Sequence, residues 1–67
     1  MDRITISKAA LAKFPPMYKI MYMKRVTAMG GEEKAAVILF WREREQGYRL
    51  AAFCAETGEY ISEVVTP

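Results

Sequence analysis

Side chains able to carry covalent or acid–base chemistry are few in this chain, and their spacing works against a catalytic centre. There is no histidine and no asparagine, one aspartate (Asp2) and one cysteine (Cys54). A nucleophile–base triad needs a base oriented by a third group, and a zinc site needs several His and Cys ligands, so neither can be assembled from one copy. Glu43 and Glu45 lie two apart at the end of one predicted strand, a carboxylate pair of the kind glycosidases use, but acids flanking a hairpin are far more often solvated. Cys54 would need exposure and a depressed pKa to act as a nucleophile; among Ala51, Ala52, Phe53 and Ala55 it reads as a small buried hydrophobe. Neither GxGxxG nor GxxxxGK occurs, so no phosphate-cradling glycine loop is expected. The chain is therefore expected to be no enzyme and to hold no cofactor or metal.

Binding chemistry is better represented. Tyr18, Lys19, Tyr22, Lys24 and Arg25 interleave rings with cations, a pattern that can stack bases while neutralising phosphates or meet an acidic partner. The bland alternative has the tyrosines filling a core while the cations snorkel at its edge. Met17, Met21, Met23 and Met29 read first as flexible packing and second as an adaptable protein-binding surface.

Sixty-seven residues suffice for one domain, 1–67, with a marginal core, since a chain of this size buries only about 60% of its unfolded surface. With 52% apolar and 27% charged residues it should fold rather than stay disordered. The net charge of +2 is unevenly spread: residues 1–31 carry six cations against Asp2, residues 32–67 four cations against seven carboxylates. Such asymmetry can mark a nucleic-acid or acidic-partner surface, or can cancel across one small fold. The lone cysteine and the absence of a long apolar segment fit a cytoplasmic protein without a membrane span.

The elements that must position these residues follow from local signals. Ser7 can cap a short helix over Lys8 to Phe14, with Ile6 and Leu11 at the staple positions, and Pro15-Pro16 ends it. Met17 to Ala28 reads as a strand, although Pro16 and Gly30 also suit helix ends; on a helical wheel its polar residues scatter, which favours the strand. Gly30-Gly31-Glu32-Glu33 is a turn, and Lys34 to Glu43 the central strand. Glu45-Gln46-Gly47 and Glu56-Thr57-Gly58 are three-residue hairpin loops before strands Tyr48 to Ala55 and Glu59 to Val65. The first loop predicts Glu43 opposite Arg49 and Leu39 opposite Phe53; the second predicts Phe53 opposite Ile61. The stretch Glu56-Thr57-Gly58-Glu59-Tyr60-Ile61 is similar to the final hairpin of PepSY-type modules and propeller-blade repeats, which implies a turn and nothing about function.

The fold class expected is α+β, a short N-terminal helix packed on a three- to four-stranded antiparallel β-meander. Small Ala52 and Cys54 should leave room for the helix on the face of Ile38, Phe40, Leu50, Tyr60 and Val64. The other face, Val37, Leu39, Trp41, Phe53, Ile61 and Val65 within a rim of charges, then reads as a protein interface, and the chain as a homodimer. The expected function is non-enzymatic binding of another protein, modulating or inhibiting it through a sheet face or edge. The alternative is nucleic-acid binding through Tyr18, Lys19, Tyr22, Lys24 and Arg25.

Overall fold

The computed structural model describes residues 3–27 and 30–65, so the expectations for Asp2, Ala28 and Met29 lie outside the described residues. A helix α1 (Lys8–Lys13) is followed by strands β1 (Lys19–Thr27), β2 (Glu33–Glu43), β3 (Gly47–Cys54) and β4 (Tyr60–Glu63). The strands form one antiparallel sheet in the order β1-β2-β3-β4, a four-stranded meander.

Helix α1 starts where the capping signal places it. The Ser7 hydroxyl oxygen accepts from the Ala10 amide at 3.0 Å, satisfying one N–H that a first turn leaves unpaired. Ser7 also ties the helix to the sheet, its amide donating to the Ala55 carbonyl at 3.0 Å and its hydroxyl to the Glu56 carbonyl. Phe14 leaves the helix in an extended conformation ahead of Pro15. Of the staple pair, Ile6 packs on the core while Leu11 remains exposed.

The helix covers the face opposite to the one expected. Ala10 and Phe14 pack with Val37, Leu39, Trp41, Ala51, Phe53 and Ala55, and Ile4, Ile6 and Tyr18 border this cluster. Val37, Leu39, Trp41 and Phe53 are thus core residues of the chain itself, and their assignment to an open interface is corrected. Small residues on one side cannot decide the matter, because β3 offers Ala51 with Ala55 beyond it on one face and Ala52 with Cys54 on the other. The turn after β3 decides it. A Cβ on Gly58 would come within 2.8 Å of Ala10 Cα and 2.9 Å of Lys13 Cβ, so only glycine lets the helix backbone settle there.

The β2–β3 register is two residues away from the expected one: Glu43 faces Gly47, Trp41 faces Arg49 and Leu39 faces Ala51. The loop is Arg44-Glu45-Gln46, with Gly47 at φ 77° opening β3 instead of closing the loop. A slip of two preserves the faces, because the strand period is two. Between β3 and β4, Ala51 faces Glu63 as the loop length predicts, but an irregularity puts Tyr60, not Ile61, opposite Phe53. The extra residue turns Ile61 to the helix-free side. There Ala36, Ile38 and Ala52 are buried against Val26, Leu50, Ile61 and Val64, and the Val64 amide donates to the Leu50 carbonyl at 3.0 Å. The apolar centre of the second face is therefore covered by this chain's own side chains.

Candidate functional site

Along β2 the even-numbered side chains stand on the helix-free face, and cross-strand pairing brings the even residues of β3 to the same side. An irregularity at Met21 governs which part of β1 joins them. Tyr22 pairs with Ile38 and Lys24 with Ala36, but beyond the bulge Ile20 pairs with Leu39 and Lys19 with Phe40. Of the five ring and cation residues expected to act together, Lys19, Tyr22 and Lys24 therefore share the helix-free face. Tyr18 lies on the helix side, its ring edge-on to Phe14 at 5.2 Å, and Arg25 pairs with Ala35 on that side too. The six residues expected as a protein interface are likewise dispersed: four in the helix-side core, Ile61 on the opposite face, and Val65 beyond β4, 86% exposed.

β2 and β3 supply residues that sequence reasoning missed. Lys34, Phe40 and Arg42 of β2 and Tyr48 of β3 stand on the same face as Lys19, Tyr22 and Lys24. Strand alternation from Phe40, the one of the four placed on an apolar face by sequence, is the signal that brings the other three to this side. The strand carboxylates Glu33, Glu43 and Glu63 all pair on the helix side. Among the described strand residues, the helix-free face thus carries four cations, three rings and no carboxylate.

Two of the rings, Tyr22 and Tyr48, are exposed, and Phe40 is half-buried. Phe40 and Tyr48 stack with centroids 5.0 Å apart and planes 1° from parallel, and Tyr48 is 66% exposed. Beside this pair, β1 stops at Lys19 while β2 continues through Trp41 and Arg42 to Glu43 with no strand neighbour on that side. The gap is an open cleft of about 680 Å³ bounded by Lys19, Phe40, Trp41, Arg42, Arg44 and Tyr48, with Pro16 and Met17 at its rim. Met17 adopts φ 55°, in the left-handed region, and the residue is 98% exposed. A non-glycine residue held so costs on the order of 1–3 kcal/mol, and such strain gathers at functional sites. Lys19, Arg42 and Arg44 make no ion pair with a described residue.

Charge on the helix side is treated differently. Arg49 donates to Glu43 at 3.1 Å and to Glu63, and lies over the Trp41 ring at 5.4 Å. A hydrogen bond to Glu63, with the field of both carboxylates, holds its pKa above the ordinary value against the opposing effect of burial. At the far end of the sheet, a smaller cavity of about 380 Å³ includes Cys54, Lys34 and Thr57 but also Glu32, Glu33 and Glu56. Burial pushes the Cys54 thiol pKa up, yet hydrogen bonds from the Thr57 hydroxyl and amide and the Glu56 amide, with the Lys34 charge, hold it below the usual value.

Among the described residues, no three of His, Cys, Asp and Glu gather as metal ligands, and no helix is long and apolar enough to cross a membrane. No family model, curated protein or solved structure matches the chain.

Proposed function

We propose that the chain is a non-enzymatic binding module whose ligand is single-stranded nucleic acid laid across the helix-free face. One observation carries this reading: Lys19, Lys24, Lys34 and Arg42 share a face with Tyr22, Phe40 and Tyr48, and no strand carboxylate shares it. Cations along a strand's path release condensed counterions, and exposed rings offer surfaces to any base regardless of sequence. A duplex would hide the faces of its bases from those rings, so the single strand is the better fit. A reducing cytoplasmic setting suits the one buried thiol, Cys54.

Titration of a fluorescent mixed-sequence oligonucleotide against salt tests the reading. Binding should weaken steeply with salt, and Lys24→Gln should lower the logarithmic slope by about 0.7, the single-strand value for one phosphate contact. Tyr22→Ala and Tyr48→Ala should each cost about 1–3 kcal/mol of affinity. Absence of binding at low salt, or indifference to all three substitutions, overturns it.

A second reading, binding of another protein or of a second copy, rests on β1. Its outer edge has no strand neighbour, and Ile20, Met21, Tyr22 and Met23 are 41–50% exposed along it. Such an edge can accept an added strand, though lysines and a bulge are the devices that discourage indiscriminate pairing. Sedimentation tests the homodimer: a dimer that Met23→Pro dissociates, by removing an edge N–H, supports pairing through β1. A monomer at high concentration removes the homodimer.

A further inference from the structure

We infer that the cleft at the end of β1 is a subsite for one nucleoside monophosphate unit, with the phosphate between Lys19, Arg42 and Arg44 and the base against the Phe40–Tyr48 stack. The inference rests on the nucleic-acid reading above and narrows it to a place where a single nucleotide is held. Three independent features of the cleft converge on that ligand. The first is chemical composition: an ammonium and two guanidiniums surround the opening, and no carboxylate lines it. Guanidinium groups match phosphate oxygens with paired, charge-assisted hydrogen bonds, which a strongly hydrated ammonium does less selectively.

The second feature is the adjoining wall. Phe40 backs Tyr48 in a parallel stack 5.0 Å apart, which holds the 66% exposed Tyr48 ring in place as a surface that a base can extend, and a cation near the same wall can add attraction to the ring system. The third is shape and rim. A cleft of about 680 Å³ falls within the roughly 300–1,000 Å³ of small-ligand sites. Met17 lines its rim in a left-handed conformation, the residue 98% exposed, so that its flexible thioether is available to a bound base. Elsewhere on the helix-free face, Tyr22 and Lys24 offer stacking and charge along β1; at the cleft, ring wall and phosphate-binding groups meet within one concavity.

The discriminating experiment uses the full chain with adenosine monophosphate, adenosine and inorganic phosphate, each measured by equilibrium dialysis. Emission of Trp41, the one tryptophan and a cleft residue, reports the location. Adenosine monophosphate should bind at least about tenfold more tightly than either fragment and should change Trp41 emission. Arg42→Ala with Arg44→Ala should abolish the advantage over adenosine, and Tyr48→Leu the advantage over phosphate. All three residues are exposed, so circular dichroism should remain that of the parent protein. Equal affinity for adenosine monophosphate and phosphate overturns the inference, leaving only a cationic patch. Oligonucleotide binding sensitive to Tyr22 and Lys24, with no mononucleotide binding, overturns the cleft subsite and leaves the face reading standing. Failure of both ligands overturns both.

Discussion

The two faces of the sheet are built from the same alternating strands, yet they handle burial and charge in opposite ways. On the helix side, Phe14, Phe53, Trp41 and Tyr60 form a chain of edge-to-face contacts centred on Phe53, and Arg49 is paired with two carboxylates at the rim. On the other side, a small apolar patch around Ile38 is sealed by its neighbours, while Tyr22, Tyr48, Lys19, Lys24 and Arg42 are exposed and Lys34 is half-buried. Apolar alternation alone therefore does not distinguish a face that folds the protein from one left for a ligand. Charge compensation differs as well: on the helix side Arg49 is paired with Glu43 and Glu63, whereas Lys19 and Arg42 of the other face make no ion pair with a described residue, which under the proposed reading leaves them for an external anion.

The largest effect expected from this contrast is on stability. Phe53 touches the rings of Phe14, Trp41 and Tyr60, so Phe53→Ala opens a cavity in the helix-side core and should cost about 3–5 kcal/mol. A chain of this length has a total stability of roughly 3–10 kcal/mol, so much of the population would unfold. Tyr48→Ala, by contrast, removes an exposed ring from one stack and should cost no more than about 1 kcal/mol. Denaturant titration of both variants measures the difference. Equal losses would mean that the helix-free face contributes to folding as the covered one does, and the division of roles would fall.

The same contrast explains how far the sequence could be read. Helix α1, its Ser7 cap, its end at the prolines and the places of the strands follow from local signals, because each depends on residues a few positions apart, but the β2–β3 register, two residues from the expected one, does not. β1 follows as a strand on the same grounds, since its polar residues do not fall on one side of a helix. Which face the helix takes was not legible. Alanines stand on both faces of β3, and the deciding contacts, Ser7 with Ala55 and Glu56 and Gly58 with Ala10, join segments some fifty residues apart. The irregularities at Met21 and Ile61 carry no glycine or other local marker, and each moves side chains to the opposite face. The Met21 bulge brings Lys19 to the face of Tyr22 and Lys24 and leaves Tyr18 on the other, and the irregularity beside Ile61 turns that residue to the helix-free side; Arg25 is set apart from Lys24 by plain alternation.

The smallest effect concerns Cys54, which was expected to be inert because its neighbours are apolar. It is buried, 8% exposed, but it belongs to the helix-free face, opposite Ala36 and near Lys34. Burial alone would push its thiol pKa up; the Thr57 hydroxyl and amide, the Glu56 amide and the Lys34 charge more than offset it, so the folded-state pKa lies below the ordinary one. The sign then follows: between the folded-state pKa and that of the unfolded thiol, the unfolded chain binds the extra proton and stability rises with pH. Above the unfolded pKa the gain is fully present, and it is lost as pH falls through the folded value. Thr57→Val removes one donor and should move the labelling midpoint of native Cys54 to higher pH while flattening that rise. Alkylation rates from pH 6 to 10, with denatured protein as the reference, measure both. A native midpoint at or above the denatured one would show that burial outweighs the donors, and the thiol would then resemble the uncompensated apolar groups of the helix side.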